Sequence, residues 1–259
     1  MNQFGCIWRR SMALVFGWAC LCGPIFADTG PAAADAKSLS AVCRAGVDVS
    51  DMLYDPQVSV VLERYDRALE ACNRLIDNGD LNDADLAFAL LDRADLVGGG
   101  DEGLEQAKLD YERAIELMPD LSDAYWRRGK SNLLYMRNLP MALTDLDQAI
   151  ALDAARPEFY VTRSSILAFS GRPAESMADL ETALRLDPQS VHALTNRGLA
   201  HFNNGDFARA AKDFDAAILL TPDDPSLYSL RSALRLQAGD KEGWEEDAEI
   251  ARKLMYPAS

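Results

Sequence analysis

The sequence predicts an all-α fold, a solenoid of five stacked helical hairpins, and three observations carry that prediction. An arginine followed by a small residue recurs every 34 or 35 residues, at Arg93, Arg128, Arg163, Arg197 and Arg231. An aspartate follows each by 16 or 17 residues, at Asp110, Asp145, Asp179, Asp213 and Asp247. No stretch alternates with period two, so no sheet is expected. A fixed period of this length is the signature of one supersecondary unit copied and stacked, because a single copy cannot bury its apolar face alone.

Residues 1–27 read as a secretory signal. Arg9 and Arg10 give a basic start, Ser11 to Phe26 is uncharged and apolar, and Pro24 breaks the run before Ala27. The expected cut leaves Asp28 first; a cut after Ala36, retention as an anchor and lipidation at Cys20 are the alternatives. The apolar run is about 16 residues, short of the roughly 20 that a membrane span needs. The expectation is therefore a periplasmic or secreted chain with no stable membrane insertion after cleavage.

Cys6, Cys20 and Cys22 leave with such a signal, and Cys43 and Cys72 remain. Two cysteines in an exported chain pair readily. Closing a loop of about 30 residues contributes roughly 3–4 kcal/mol by the chain-entropy estimate. The alternative is two separate buried thiols. Two cysteines with no nearby histidine are too few ligands for a metal.

Residues 28–56 read as a leader, its first part (28–40) small, polar and flexible. Residues 57–82 hold a helix: Val58, Val61, Leu62, Tyr65, Leu69, Cys72 and Ile76 recur at helical spacing, and Asn78-Gly79-Asp80 stops it. Residues 83–259 hold the array, with repeats at about 87–121, 122–156, 157–190, 191–224 and 225–257. First helices are expected near 83–97, 122–137, 157–170, 191–204 and 225–238, and second helices near 103–117, 140–152, 173–186, 206–220 and 240–254. Gly171, Gly205-Asp206 and Gly239-Asp240 mark tight turns, and Pro188 and Pro222 end repeats. The second helices share one face: Ala107, Tyr111, Ala114 and Ile115, then Ala142, Leu146, Ala149 and Ile150, then Ser176, Leu180, Ala183 and Leu184, then Ala210, Phe214, Ala217 and Ile218. Small residues at that spacing let backbones approach, and the large residue fills the gap.

The chain carries a formal net charge of −15, and beyond residue 27 it has 24 basic and 41 acidic residues. Such an acidic surface argues against nucleic acid and against anionic lipid. His192 and His201 are the only histidines, and they face apart on one helix. No HExxH, nucleophile elbow or phosphate-cradling lysine loop occurs. Gly98, Gly100 and Gly103 spell GxGxxG, but a helix precedes them and acids lie inside the motif, so they read as a hairpin turn. No catalytic residue, cofactor or metal is expected. Each arginine of the beat has a phased aspartate on the next helix. The preferred reading is therefore a ladder of partly buried ion pairs closing each hairpin, against an arginine row that binds an anion.

Gly198, Ala210, Phe214, Ala217 and Pro222 resemble the tetratricopeptide repeat, a 34-residue helix–turn–helix unit, and Ala124, Tyr125, Gly129, Ala142 and Ala149 match it with one residue inserted near Asn138-Leu139-Pro140. The resemblance covers about 87–257. Cys72 through Arg93 is similar to the lead-in of exported bacterial members. Ser164 and Ser232 replace the family's small glycine, and Trp244 replaces an alanine, which implies a capping last hairpin with an acidic outer face (Glu242, Glu245, Glu246, Glu249). The family implies a right-handed α-α superhelix whose first helices line a concave groove for a peptide or helix. Asp123, Trp126, Lys130, Leu133, Phe169, His192, Thr195, Leu199, Phe202 and Asn203 are then the groove residues, or they pack between neighbouring first helices. The lysine and asparagine clamp for acidic C-termini is absent. The expected function is a non-enzymatic adaptor of the bacterial envelope with a protein partner; the alternative is an assembly subunit that uses its convex or end surfaces.

Overall fold

The computed structural model describes residues 36–44, 58–97, 101–136 and 138–256. Every regular element among them is helical. They fall into two compact units, Met1–Asn138 and Leu139–Ser259. The signal-like segment with Cys6, Cys20 and Cys22, and Gly98 and Gly100 of the glycine motif, lie outside the described residues. Among the described residues no helix is long and apolar enough to cross a membrane.

The first unit holds α1 (Ala36–Arg44), α2 (Val58–Asp77), α3 (Asp83–Leu96), α4 (Asp101–Leu117) and α5 (Ser122–Ser131), the last running into a π-helical turn, Asn132–Met136. The second holds α6 (Leu139–Leu152), α7 (Pro157–Phe169), α8 (Pro173–Leu186), α9 (Val191–Asn203), α10 (Phe207–Leu220), α11 (Pro225–Gln237) and α12 (Lys241–Met255). The heaviest packing is within α3–α4, α7–α8, α9–α10 and α11–α12, and each of these hairpins also packs on the element before it in its own unit.

Local chemistry sets the helix ends. Asn82 accepts from the Asp85 amide at 2.9 Å, Asp206 from Arg209 at 3.1 Å and Asp240 from Gly243 at 3.0 Å, each satisfying an orphan amide of a first turn. Pro157, Pro173 and Pro225 open α7, α8 and α11, where their missing amide costs nothing. Gly171, Gly205 and Gly239 leave the preceding helices with φ of 71°, 76° and 85°. The next amide then bonds back to Leu167, His201 or Arg235.

The repeated face of the second helices is the core. Ala107, Ala114, Ala142, Ala149, Ala183, Ala210 and Ala217 are fully covered, with Tyr111, Leu146, Leu180 and Phe214 between them. At Gly198 the two helices of a hairpin meet closely: a β-carbon there would lie 2.6 Å from the Phe214 ring. Gly103 has a comparable constraint, since its β-carbon would strike the Val97 carbonyl.

Three features differ from the sequence reading. Residues 36–44 form a helix where a flexible leader is expected, and Cys43 at its end is buried. The inserted residue of the second repeat is absorbed as the π-helical turn that ends the first helix, rather than as a longer connection, as expected of a one-residue insertion in a helix. In the last hairpin Trp244 is half-buried, and Gly243 beside it supplies the buried small residue. Arg235 crosses Gly243 and donates to its carbonyl at 2.9 Å.

Candidate functional site

The arginine–aspartate ladder is built into the hairpins. Nε and Nη2 of Arg93 reach Asp110 at 2.7 and 2.7 Å, those of Arg163 reach Asp179 at 2.8 and 2.7 Å, those of Arg197 reach Asp213 at 2.9 and 2.6 Å, and those of Arg231 reach Asp247 at 2.9 and 2.8 Å. Two parallel bonds orient the guanidinium as one cannot. The aspartates are buried, and hydrogen bonding to them raises each of these four guanidinium pKa values above its ordinary value, so the charge persists at any accessible pH. Arg128 and Asp145 fall in different units, and Asp145 is buried.

The same arginines do two further things that sequence reasoning missed. Nη1 of Arg163 reaches Asp147 at 2.8 Å, and Nη1 of Arg231 reaches Asp215 at 2.6 Å, so each ties its hairpin to the helix before it. Arg93 does the same to Asn73 of α2 at 3.0 Å. In three repeats the guanidinium also lies over an aromatic ring three residues earlier: Arg128 over Tyr125 at 5.8 Å, Arg163 over Tyr160 at 5.7 Å and Arg231 over Tyr228 at 5.7 Å. Those tyrosines donate to the carbonyls of Pro119, Ala154 and Pro222 in the preceding turn. The signal was in the sequence as an acid two residues after the ladder aspartate and a tyrosine three before the arginine.

In the first unit a second polar cluster joins α3, α4 and α5. Tyr111 donates to Asp95 at 2.6 Å, and Arg127 donates to Asp92 at 3.0 Å and to Asp95 at 2.9 Å. Burial, its largest cause, lifts the Asp92 carboxyl above the usual carboxylate range, and Arg127 opposes it. Burial likewise pushes the Tyr111 phenol up. Beside this cluster, α1 meets α2 and α3: Arg44 lies over the Phe88 ring at 5.7 Å, and a cavity of about 350 Å³ is lined by Ser40, Arg44, Asp85 and Asp92 with Leu75, Ala89 and Cys43. Cys43 and Cys72 are bonded to each other.

The groove residues divide between the units. In the first, Trp126 and Leu133 are half-buried, and Lys130 lies over the Trp126 ring at 5.7 Å. Because the π-helical turn shifts the register, Leu134, 54% exposed, is more open than Leu133. In the second, the first helices α7 and α9 touch, and Asn196 donates to Ser165 across them at 3.3 Å. Phe169 at the end of α7 is 75% exposed, and His192 and Asn203 are exposed. Thr195, Leu199 and Phe202 are half-buried; Leu199 and Phe202 pack on the Ala210–Phe214 cluster, and Phe202 meets Phe207 at 5.7 Å. Phe202 is thus largely a hairpin contact and Phe169 is not. Among the described residues no cluster of His, Cys, Asp and Glu has metal-binding geometry.

A family model described as a tetratricopeptide repeat matches residues 161–226. The human tetratricopeptide repeat protein 13 is 32% identical over 155 residues, 58% of this chain. The chain spans 17% of that relative's length, and at most 36% of the other curated relatives that it matches. Among solved structures, PilW, a widely conserved type IV pilus biogenesis factor, aligns with a TM-score of 0.66 at 15% identity, covering 85% of this chain and 94% of its own. YrrB, a repeat protein with an unusual peptide-binding site, aligns with a TM-score of 0.50 at 19% identity, covering 72% and 93%. These likenesses bear on the fold.

Proposed function

We propose a role in protein binding, starting from the premise that the chain belongs to the tetratricopeptide repeat family. The chain is a non-enzymatic adaptor of the bacterial envelope, periplasmic or secreted, that holds a peptide or helix against its first helices. Proteins of this family are generally non-catalytic interaction scaffolds, and YrrB, with the same fold, has a peptide-binding site. The observation that carries the reading is Phe169: a large ring at the end of first helix α7, three-quarters exposed, on an element that touches the next first helix, α9. An exposed aromatic on a first helix is the pattern of an anchor for an extended or helical ligand. The ladder is set aside for structure, because Arg93, Arg163, Arg197 and Arg231 each already hold a carboxylate through two donors.

The second reading, an assembly subunit that docks through second helices, rests on Leu219 of α10, which is 83% exposed. Photo-crosslinking separates the two. A benzophenone side chain is placed at position 169 or at position 219 of the mature chain, which is then irradiated in its own envelope fraction. Adducts at 169 and not at 219 support the adaptor reading; adducts at 219 alone support the assembly reading and sink the first.

A further inference from the structure

We infer that α1 and α2 are a further, cryptic repeat hairpin in which the Cys43–Cys72 disulfide does the work that an arginine–aspartate pair does elsewhere, so that reduction detaches α1. The inference rests on register. In the α9–α10 hairpin Gly198 receives the Phe214 ring, flanked on its own helix by the buried Ala210 and Ala217. In α2, Cys72 is flanked at the same spacings by the buried Ala68 and Leu75, and it meets Cys43 of α1 where Gly198 would stand.

The residue after Cys72 agrees. Asn73 accepts from Arg93 at 3.0 Å, as Asp215, the residue after Phe214, accepts from Arg231 at 2.6 Å. α2 therefore stands to α3 as α10 stands to α11. Packing repeats the order too, since α1 packs on α2, α2 on α3, and α1 touches α3 as α7 touches α9. What is missing is the clip. The residue before Gly198 is Arg197 and the residue before Phe214 is Asp213; before Cys43 stands the exposed Val42, and before Cys72 the buried Ala71. No ion pair can form there, and beside the disulfide a cavity lined by Ser40, Arg44 and Asp92 lies along α1.

Detachment is a two-electron exchange. A dithiol reductant attacks one cysteine sulfur, the Cys43–Cys72 bond breaks, and the reductant leaves as its own cyclic disulfide while both protein thiols carry the protons. Both sulfurs are buried, so exchange proceeds through opening of α1.

The test is amide hydrogen exchange on the full mature chain with and without dithiothreitol, and on the C43A/C72A variant. Exchange over residues 36–44 should accelerate on the order of a hundredfold, with α3 to α12 unchanged. Adding Val42→Arg and Ala71→Asp together to C43A/C72A should restore the ion pair of the other hairpins and return at least tenfold of the lost protection; Val42→Arg alone should return none. Undiminished protection after reduction, loss that spreads through α3 to α12, or no recovery in the four-fold variant would each overturn the inference. The readout is independent of any partner, so it stands or falls separately from the adaptor reading.

Discussion

At the residue scale the arginines are the chain's most informative side chains, because the best placed of them serve three contacts at once. Arg163 and Arg231 each hold the aspartate of their own hairpin, an aspartate of the previous helix and the face of a tyrosine. Removing one partner of such a pair strands the other. Arg197→Leu leaves Asp213, with 7% of its side chain exposed, without its two strong donors. The expected cost is about 3 kcal/mol, discounted from a fully buried pair because the guanidinium is partly solvated, and roughly 6–12 °C in melting temperature. Adding Asp213→Leu should recover part of that loss, and a double-mutant cycle by thermal or urea unfolding checks it. Asp92 gives a pH prediction of the opposite sign from most carboxylates. Its folded pKa lies above its unfolded one, so the stability it adds is present at low pH and is lost as pH rises through the folded value. The advantage of the native chain over Asp92→Asn, measured by urea unfolding, should therefore shrink as pH rises above the ordinary carboxylate range.

At the scale of the element, legibility followed locality. The hairpins were readable because each repeat reports the same close contact: Gly198 under Phe214, flanked by Ala210 and Ala217, recurs along the chain as a pattern of small and large residues. α1 was not readable. Nine residues, largely small or polar, have little helical stability of their own, and what holds them is a bond to a residue 29 positions away. The π-helical turn was legible only as an extra residue, because sequence counts an insertion without saying which element absorbs it. Leu133 and Leu134 exchanged places for that reason. The turns give an element-scale prediction. Gly205 leaves α9 with φ of 76° and open space around its α-carbon, so Gly205→Ala should cost about 1 kcal/mol through backbone strain alone. Gly198→Ala, where the obstacle is the Phe214 ring, should cost more, about 2–3 kcal/mol. Chemical unfolding of the two variants side by side checks the ranking.

At the scale of the whole molecule the division of labour is between the arginine–aspartate ladder, which closes hairpins, and the first-helix residues left outside it. The candidate binding residues were only partly legible in the sequence: position within a repeat selects Phe169 and Phe202 alike, but Phe202 is committed to Phe207 and Phe169 is not. The acidic balance of the chain adds that a basic or neutral partner is favoured over an acidic one. Titration calorimetry of the partner captured by photo-crosslinking, against the native chain and Phe169→Asp, decides whether Phe169 is the anchor. Phe169→Asp should lose at least tenfold in affinity with a melting temperature changed by less than about 2 °C. Unchanged affinity in Phe169→Asp, with binding lost instead in Arg197→Lys at intact stability, would contradict it.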